Sequence, residues 1–225
     1  MPPAVDRTVY RAGGDQTIPR PRAWAHVDHP PPVHHPLDVI TDDIAAVLAA
    51  EPKGRPAALN FDEARPSAVL VLLADGPGGA GVLLTRRSRA MRNHSGEVSF
   101  PGGRLDNDET PTEGALREAN EEVGLDPAAV EIIGELDHVA TVVSRSHVVP
   151  IVGRVATQLA LAPASMELVR AFWVPLADLL RTDTYRVERW HFPPSERLLY
   201  FFELDDETVW GLTAFILTDL LRRLS

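Results

Sequence analysis

Hydrophobic positions along the chain fall into short runs whose period changes from segment to segment. Ser67 to Ala74 (SAVLVLLA) is apolar without interruption and short enough for a strand buried on both faces. Gly76-Pro77-Gly78-Gly79 predicts a turn, and Gly81 to Thr85 the partner strand of a hairpin. Val130 to Leu136 and His147 to Val152 predict two more strands, Pro150 marking the second as an edge or a bulge. Trp190 to Phe202 reads as two strands around a Pro-Pro-Ser turn. Helical spacing begins at Leu37, with Ile40, Ile44, Val47 and Leu48 on one face and Pro52 as the stop. Leu176 to Leu180 predicts a short helix, and Trp210 to Leu224 an amphipathic one through Leu212, Phe215, Ile216, Leu220 and Leu224. Residues 1–36, rich in proline, arginine and histidine, show no hydrophobic period. They are expected to form a flexible or draped tail before one domain over residues 37–225, because they bury too little apolar surface to offset ordering entropy.

The most explicit element is the helix predicted from Pro111 to Val123. Thr110 is a natural N-cap, Pro111 suits the first helical position, and Glu113 completes a capping box. Gly124 supplies the left-handed residue that ends a helix. Ala115, Leu116, Ala119 and Val123 form a stripe for the core, and Arg117 can pair with Glu113 or Glu121 one turn away. Glu118, Glu121 and Glu122 share the remaining sector, where like charges at i, i+3 and i+4 oppose helix formation. A solvated acidic face is one explanation. The other is a holder for hard divalent cations, which take carboxylate oxygens, water and substrate phosphate. The carbonyls of the Gly102-Gly103 turn are a further source of ligands.

Composition narrows the setting. A net charge of −10 argues against a sequence-independent grip on nucleic acid or anionic lipid, so an anionic substrate would need local positive charge. The absence of cysteine excludes disulfides, thiolate catalysis and zinc–thiolate sites and fits a reducing cytoplasm. No apolar run approaches the ~18 residues needed to span a bilayer, and a soluble cytoplasmic protein, monomer or homodimer, is expected. Positive charge does cluster just before the glycine turn: Arg86, Arg87, Arg89 and Arg92 lie within seven positions. Guanidinium forks match phosphate oxygens in pairs, although an ordinary solvated loop also explains them.

From Gly103 to Leu125 the order is glycine, five residues, Glu109, seven residues, then Arg117-Glu118-Ala119-Asn120-Glu121-Glu122-Val123-Gly124-Leu125. This 23-residue pattern resembles the Nudix hydrolase box at every specified position. The resemblance implies an α/β fold, an α/β/α sandwich with a mixed central sheet, and hydrolysis of a nucleoside diphosphate linked to another moiety with Mg²⁺ or Mn²⁺. It carries Glu118, Glu121 and Glu122 over as metal ligands and catalytic carboxylates, Gly103 as a carbonyl ligand, and Glu109 with Arg117 as a structural ion pair. A second pattern, LLT-x-R-S-x3-R-x3-G-x3-FPGG from Leu83 to Gly103, is similar to the additional signature of the coenzyme A pyrophosphatase branch, as is Trp210-Gly211-Leu212-Thr213-Ala214. The branch implies cleavage of coenzyme A or its thioesters to 4′-phosphopantetheine, free or acylated, and adenosine 3′,5′-bisphosphate. Arg86, Arg87, Arg92, Gly102 and Gly103 would then meet substrate. The enzymes of this family often add a glutamate from beyond the box as ligand or general base. Glu167, before Phe172, is one candidate, and Glu97, before the FPGG turn, is the other. His138, with Ser144 and Arg145, lies in a loop that could form a pocket wall. An ADP-sugar pyrophosphatase and a nucleotide-binding regulator without turnover are the alternative functions.

Overall fold

The computed structural model describes residues 10–33, 39–50, 53–57, 64–91, 95–141 and 144–225. In chain order its elements are β1 (Trp24–Val27), α1 (Thr41–Ala50), β2 (Arg65–Gly76), β3 (Gly79–Arg87), β4 (Val98–Ser99), β5 (Gly102–Arg104) and α2 (Pro111–Val123). There follow β6 (Glu131–Glu135), β7 (Val139–Thr141), β8 (Ser146–Val155), β9 (Leu168–Pro175), α3 (Leu176–Leu179), β10 (Tyr185–Phe192), β11 (Ser195–Glu203), β12 (Thr208–Trp210) and α4 (Gly211–Arg223).

Strands β2 to β9 build one mixed sheet in which β2 and β8 run parallel and the other pairs antiparallel. The uninterrupted apolar run of β2 follows from its central place. Ala68, Leu70, Leu72 and Ala74 pack against the α2 side, while Val71 and Leu73 enter the core on the other. The register of β2 changes partner along its length, and this positions the site. Leu73 to Gly76 pair with β3, whereas Ser67 to Val69 pair with β5. The Phe-Pro-Gly-Gly segment thus takes the place of β3 beside the first half of β2, anchored by Leu70 N donating to Pro101 O at 2.9 Å.

Pro150 lies inside the sheet, in β8, and not at an edge or bulge as its residue type suggests. Its missing donor falls where β8 exchanges β7, paired at Val148, for β6, paired at Ile151. Leu136 N closes that junction on Pro150 O at 3.0 Å.

The opposite face carries α1, α3, α4 and a second, antiparallel sheet in the order β1-β10-β11-β12, all sharing one core with Val71, Leu73 and Val152. This second sheet corrects the expectation of a tail before residue 37. Trp24 to Val27 pair with Val187 to Trp190 of β10, and Val33 is buried. Residues 10–33 also donate from Arg11 N to Asp183 O at 2.9 Å and from Arg20 Nε to Glu188 at 3.0 Å. His26 stacks on Tyr10, and residues 1–9 and 34–36 of the expected tail lie outside the described residues. In α1, Ile44 and Leu48 are buried as expected, but Val47 is exposed, as is Ile40 just before the helix. Its N-terminus is tied to Asp75, which accepts from Thr41 N at 2.8 Å and Thr41 Oγ1 at 3.0 Å.

Candidate active site

Helix α2 has the bounds its capping residues predict. Thr110 Oγ1 accepts from Glu113 N at 3.3 Å, Glu113 Oε2 accepts from Thr110 N at 2.9 Å, and Gly124 closes the C-terminus at φ 70°. Because Glu113 is spent on the cap, Arg117 turns elsewhere. Its Nε and Nη2 donate to the two oxygens of Glu109 at 2.8 and 3.0 Å, its Nη1 to Glu118 at 3.0 Å, and Nη2 also to the carbonyl of Arg104 at 3.0 Å. One guanidinium therefore joins the box loop, β5 and the helix. Held by it, Glu109 titrates below the usual carboxylate range and Arg117 above its own.

The apolar stripe of α2 lies on β2, β5 and β8, with Ala115, Ala119 and Val123 buried and Leu116 partly so. This docking brings Glu118 and Glu122, one turn apart, onto the Gly102-Gly103 turn. Gly102 N donates to Glu122 Oε2 at 3.1 Å, and a Cβ placed on Gly103 would stand 2.4 Å from Glu118 Oε1. Both carboxylates are pushed above the normal range, chiefly by burial. Glu122 reaches about 7, with Glu118 and Glu167 adding to the rise and the Gly102 amide and Arg87 opposing it. Glu121 is the exposed member, with Arg117 Nη1 at 3.4 Å.

Glu167 comes to the same place from the turn just before β9. Ala164 N donates to the carbonyl of Glu122 at 2.8 Å and Ser88 N to that of Glu167 at 2.6 Å, tying its loop to both α2 and β3. Arg87 then spans the two carboxylates, 2.8 Å from Glu167 Oε2 and 3.8 Å from Glu122 Oε1. Its Nε is buried without a hydrogen-bond partner among the described residues. The rival Glu97 sits across β3, its carbonyl accepting from Arg87 N at 2.9 Å.

The arginines do not act as one cluster. Arg86 and Arg87 are adjacent on a strand and so point to opposite faces. Arg86 enters the far side, where it donates to buried Glu207 at 3.1 Å and meets Asp15. Arg170 shares Glu207 at 3.2 Å and pairs with Asp206 at 2.6 Å. Arg89 also reaches Asp15, and Arg92 lies outside the described residues. None of Asp15, Arg170, Asp206 or Glu207 stood out in the sequence, since nothing local marks a carboxylate whose arginine lies 71 or 121 positions away. His138 is bound to Glu135 at 2.7 Å and to His147 at 3.0 Å, and it joins neither Glu118 nor Glu122 among the described contacts.

The donor set around the glycine turn suits a hard divalent cation. It is all oxygen, and it includes a buried carboxylate that the surrounding protein compensates incompletely. Among the described residues no three His, Asp or Glu side chains already converge as a closed metal cluster, Glu121 being turned to Arg117 and Glu118 sharing the same guanidinium. Such an ion would thus exchange with existing ion pairs. The two glycines are separable by substitution. Gly102 has φ 152° and a Cβ there would lie 2.4 Å from Ala68 O, so Gly102→Ala is expected to unfold the turn and lower the melting temperature by several degrees. Gly103→Ala meets only the end of the Glu118 side chain and is expected to keep the melting temperature within about two degrees while lowering turnover at least ~10-fold. Thermal melts beside hydrolysis assays check both.

The NUDIX domain model matches residues 64–202, and the chain belongs to the Nudix hydrolase family, enzymes that act on pyrophosphate bonds of nucleoside diphosphates and generally use divalent metal ions. Its relatives include the uncharacterized Nudix hydrolase NudL of Klebsiella pneumoniae, 40% identical over 157 residues that cover 69% of this chain and 81% of that one. The NudL of Escherichia coli K12 is 36% identical over the same share of each. Among solved structures, the Nudix hydrolase RenU of M. smegmatis aligns at 28% identity over 53% of this chain and 75% of that one, with a TM-score of 0.45.

Proposed function

We propose that the protein is a Mg²⁺- or Mn²⁺-dependent pyrophosphatase that hydrolyses the diphosphate of coenzyme A or its thioesters. The products would be 4′-phosphopantetheine, free or acylated, and adenosine 3′,5′-bisphosphate. The observation that carries this reading is the meeting of two sequence patterns at one place. The Leu83–Gly103 signature delivers Arg87 to within reach of Glu122 on the Nudix helix, with Glu167 completing the group. No helix among the described residues is long and apolar enough to cross a membrane, and with no cysteine in the chain this reading assigns the reaction to the cytoplasm.

Glu118, Glu121 and Glu122, with the Gly103 carbonyl, would hold the metal. When bound, it lowers the pKa of a water and neutralises charge on the phosphoryl oxygens. The remaining work falls to the chain itself. Glu122, its pKa raised to about 7 by burial, would hold a proton near neutrality that it would have to release to serve as a ligand. Glu167 orients or deprotonates the attacking water, and its pairing with Arg87 at 2.8 Å holds it beside the helix. Arg87, with a spare Nε and a planar fork, would take a diphosphate oxygen of the substrate. Arg117 fixes the loop and helix relative to each other throughout.

A panel of coenzyme A, acetyl-coenzyme A, ADP-ribose, NADH, diadenosine polyphosphates and oxidised nucleotides tests the substrate. Coenzyme A or its thioester is expected to give the highest kcat/KM, with adenosine 3′,5′-bisphosphate as the identified product. A preference for ADP-ribose would move the assignment to an ADP-sugar pyrophosphatase. Binding of coenzyme A without product would make it a nucleotide-sensing domain.

A further inference from the structure

We infer that Arg86 and Arg89 form an anion seat for a phosphate monoester, and that Asp15 of residues 11–16 occupies it as an internal competitor. The inference extends the proposed function by adding a phosphate site beyond the diphosphate, but the seat itself is defined by geometry alone. Two guanidinium groups from the β3 end converge on one carboxylate: Arg86 Nη2 and Arg89 Nη2 both pair with Asp15, and Arg89 Nη2 also donates to the Asp15 carbonyl at 3.3 Å. Two forks on one carboxylate reproduce the way proteins grip phosphate.

The arginines and their occupant are held very differently. Arg86 is positioned from behind by Glu207, which is 1% exposed and 3.1 Å away, so it stays in place whatever fills the seat. The Asp15 side chain is 64% exposed and, among the described residues, has no hydrogen bond or ion pair other than these two arginines. The segment bearing it is fitted closely to the β11–β12 corner. Gly13 N donates to Leu204 O at 2.8 Å, Gly14 N to Thr208 Oγ1 at 2.9 Å, and Thr208 N to Gln16 Oε1 at 2.9 Å. A Cβ at Gly13 would stand 2.2 Å from Glu203 Oε2, so the glycine is what allows the main chain to run this close. The carboxylate is thereby presented to the arginines at high effective concentration, and on leaving it would exchange these two ion pairs for water.

Charge arithmetic favours replacement by a dianion. Arg86, Arg89 and Arg170 face Asp15, Asp206 and Glu207, a neutral set. Removing Asp15 leaves one uncompensated positive charge shared by the exposed Arg89 fork and the partly buried Arg86 fork, and a phosphate monoester offers up to two negative charges and three oxygens. Arg86 also adjoins Arg87, whose side chain serves the opposite face of the same strand. A ligand that wraps the end of β3 would present its diphosphate to one arginine and a second phosphate to the other.

The seat is tested on metal-free protein in EDTA at constant ionic strength, with inorganic phosphate followed by calorimetry. Asp15→Asn and Asp15→Ser are each expected to bind phosphate at least ~10-fold more tightly than the natural chain, and Arg89→Gln added to either is expected to abolish the gain. Equal affinity of the natural chain and both Asp15 variants would overturn the inference, as would a gain that survives Arg89→Gln. Neither divalent ion nor coenzyme A is present, so the result stands apart from the outcome of the substrate panel.

Discussion

Glu122→Gln is expected to lower turnover by about a thousand-fold or more and, in the same protein, to raise the stability of the metal-free fold. The two effects have one origin. Glu122 is buried on Gly102 N with its pKa raised to about 7. In the unfolded chain it ionises near ~4.3, so folding must hold a proton or bury a charge. Below the unfolded pKa this group takes nothing from stability. As pH rises through about 7 the folded protein loses up to about 3 kcal/mol. The amide keeps shape and removes that penalty, so its melting temperature at pH 8 without metal should exceed that of the natural protein, and the advantage should vanish near pH 4. The same amide is a poor cation ligand and releases no proton, so a loss of ~4 kcal/mol in transition-state stabilisation follows. Paired calorimetric melts and phosphate-release assays check it. A variant that is inactive and also less stable at pH 8 would show that Glu122 is a structural group.

Glu188→Ala is expected to destabilise the protein by about 3–5 kcal/mol, measured by urea unfolding at pH 7. The Glu188 side chain is completely buried and serves three donors. Arg20 reaches it at 2.7 Å, Trp190 Nε1 donates at 2.7 Å, and Arg186 meets it from the neighbouring face position. Arg186, 2% exposed and seated 3.9 Å over the Phe201 ring, keeps only Glu203 once Glu188 is gone. The loss should also carry a pH signature. Its partners hold the Glu188 pKa below the usual carboxylate range despite burial, so its contribution is present above the unfolded pKa near ~4.3 and fades as pH falls through the folded value. The gap between the natural protein and Glu188→Ala should therefore narrow in acid.

What could be read beforehand divides by the range of the interactions. Helix α2 was legible to the residue because Thr110, Pro111, Glu113 and Gly124 settle its ends within the helix itself. β2 was legible because burial on both faces leaves an unbroken apolar run. Leu176 to Leu180 and the turn at Pro193-Pro194 also appeared where expected, although β10 begins at Tyr185, ahead of the expected start at Trp190. The second sheet was not visible as a sheet, since Trp24 to Val27 is four residues long and acquires strand character only by pairing with β10. Pro150 misled because the partner change on β8 that tolerates it is non-local. At the site, spacing brought out the carboxylates of α2 and the arginine run. It did not separate Arg86 from Arg87, although the two-residue period of a strand contained that signal.

The pairing of Trp24–Val27 along β10 has a practical consequence for anyone trimming the protein. A chain begun at residue 64, where the family match starts, would strip the cover from Tyr185–Phe192 and bare a ladder of unsatisfied amides and carbonyls. Stopping at residue 202 would also remove α4, whose Leu217, Leu220 and Leu221 are wholly enclosed. Such a fragment would keep Glu118, Glu121, Glu122 and Glu167 and still stack into aggregates, so its insolubility would say nothing about the chemistry.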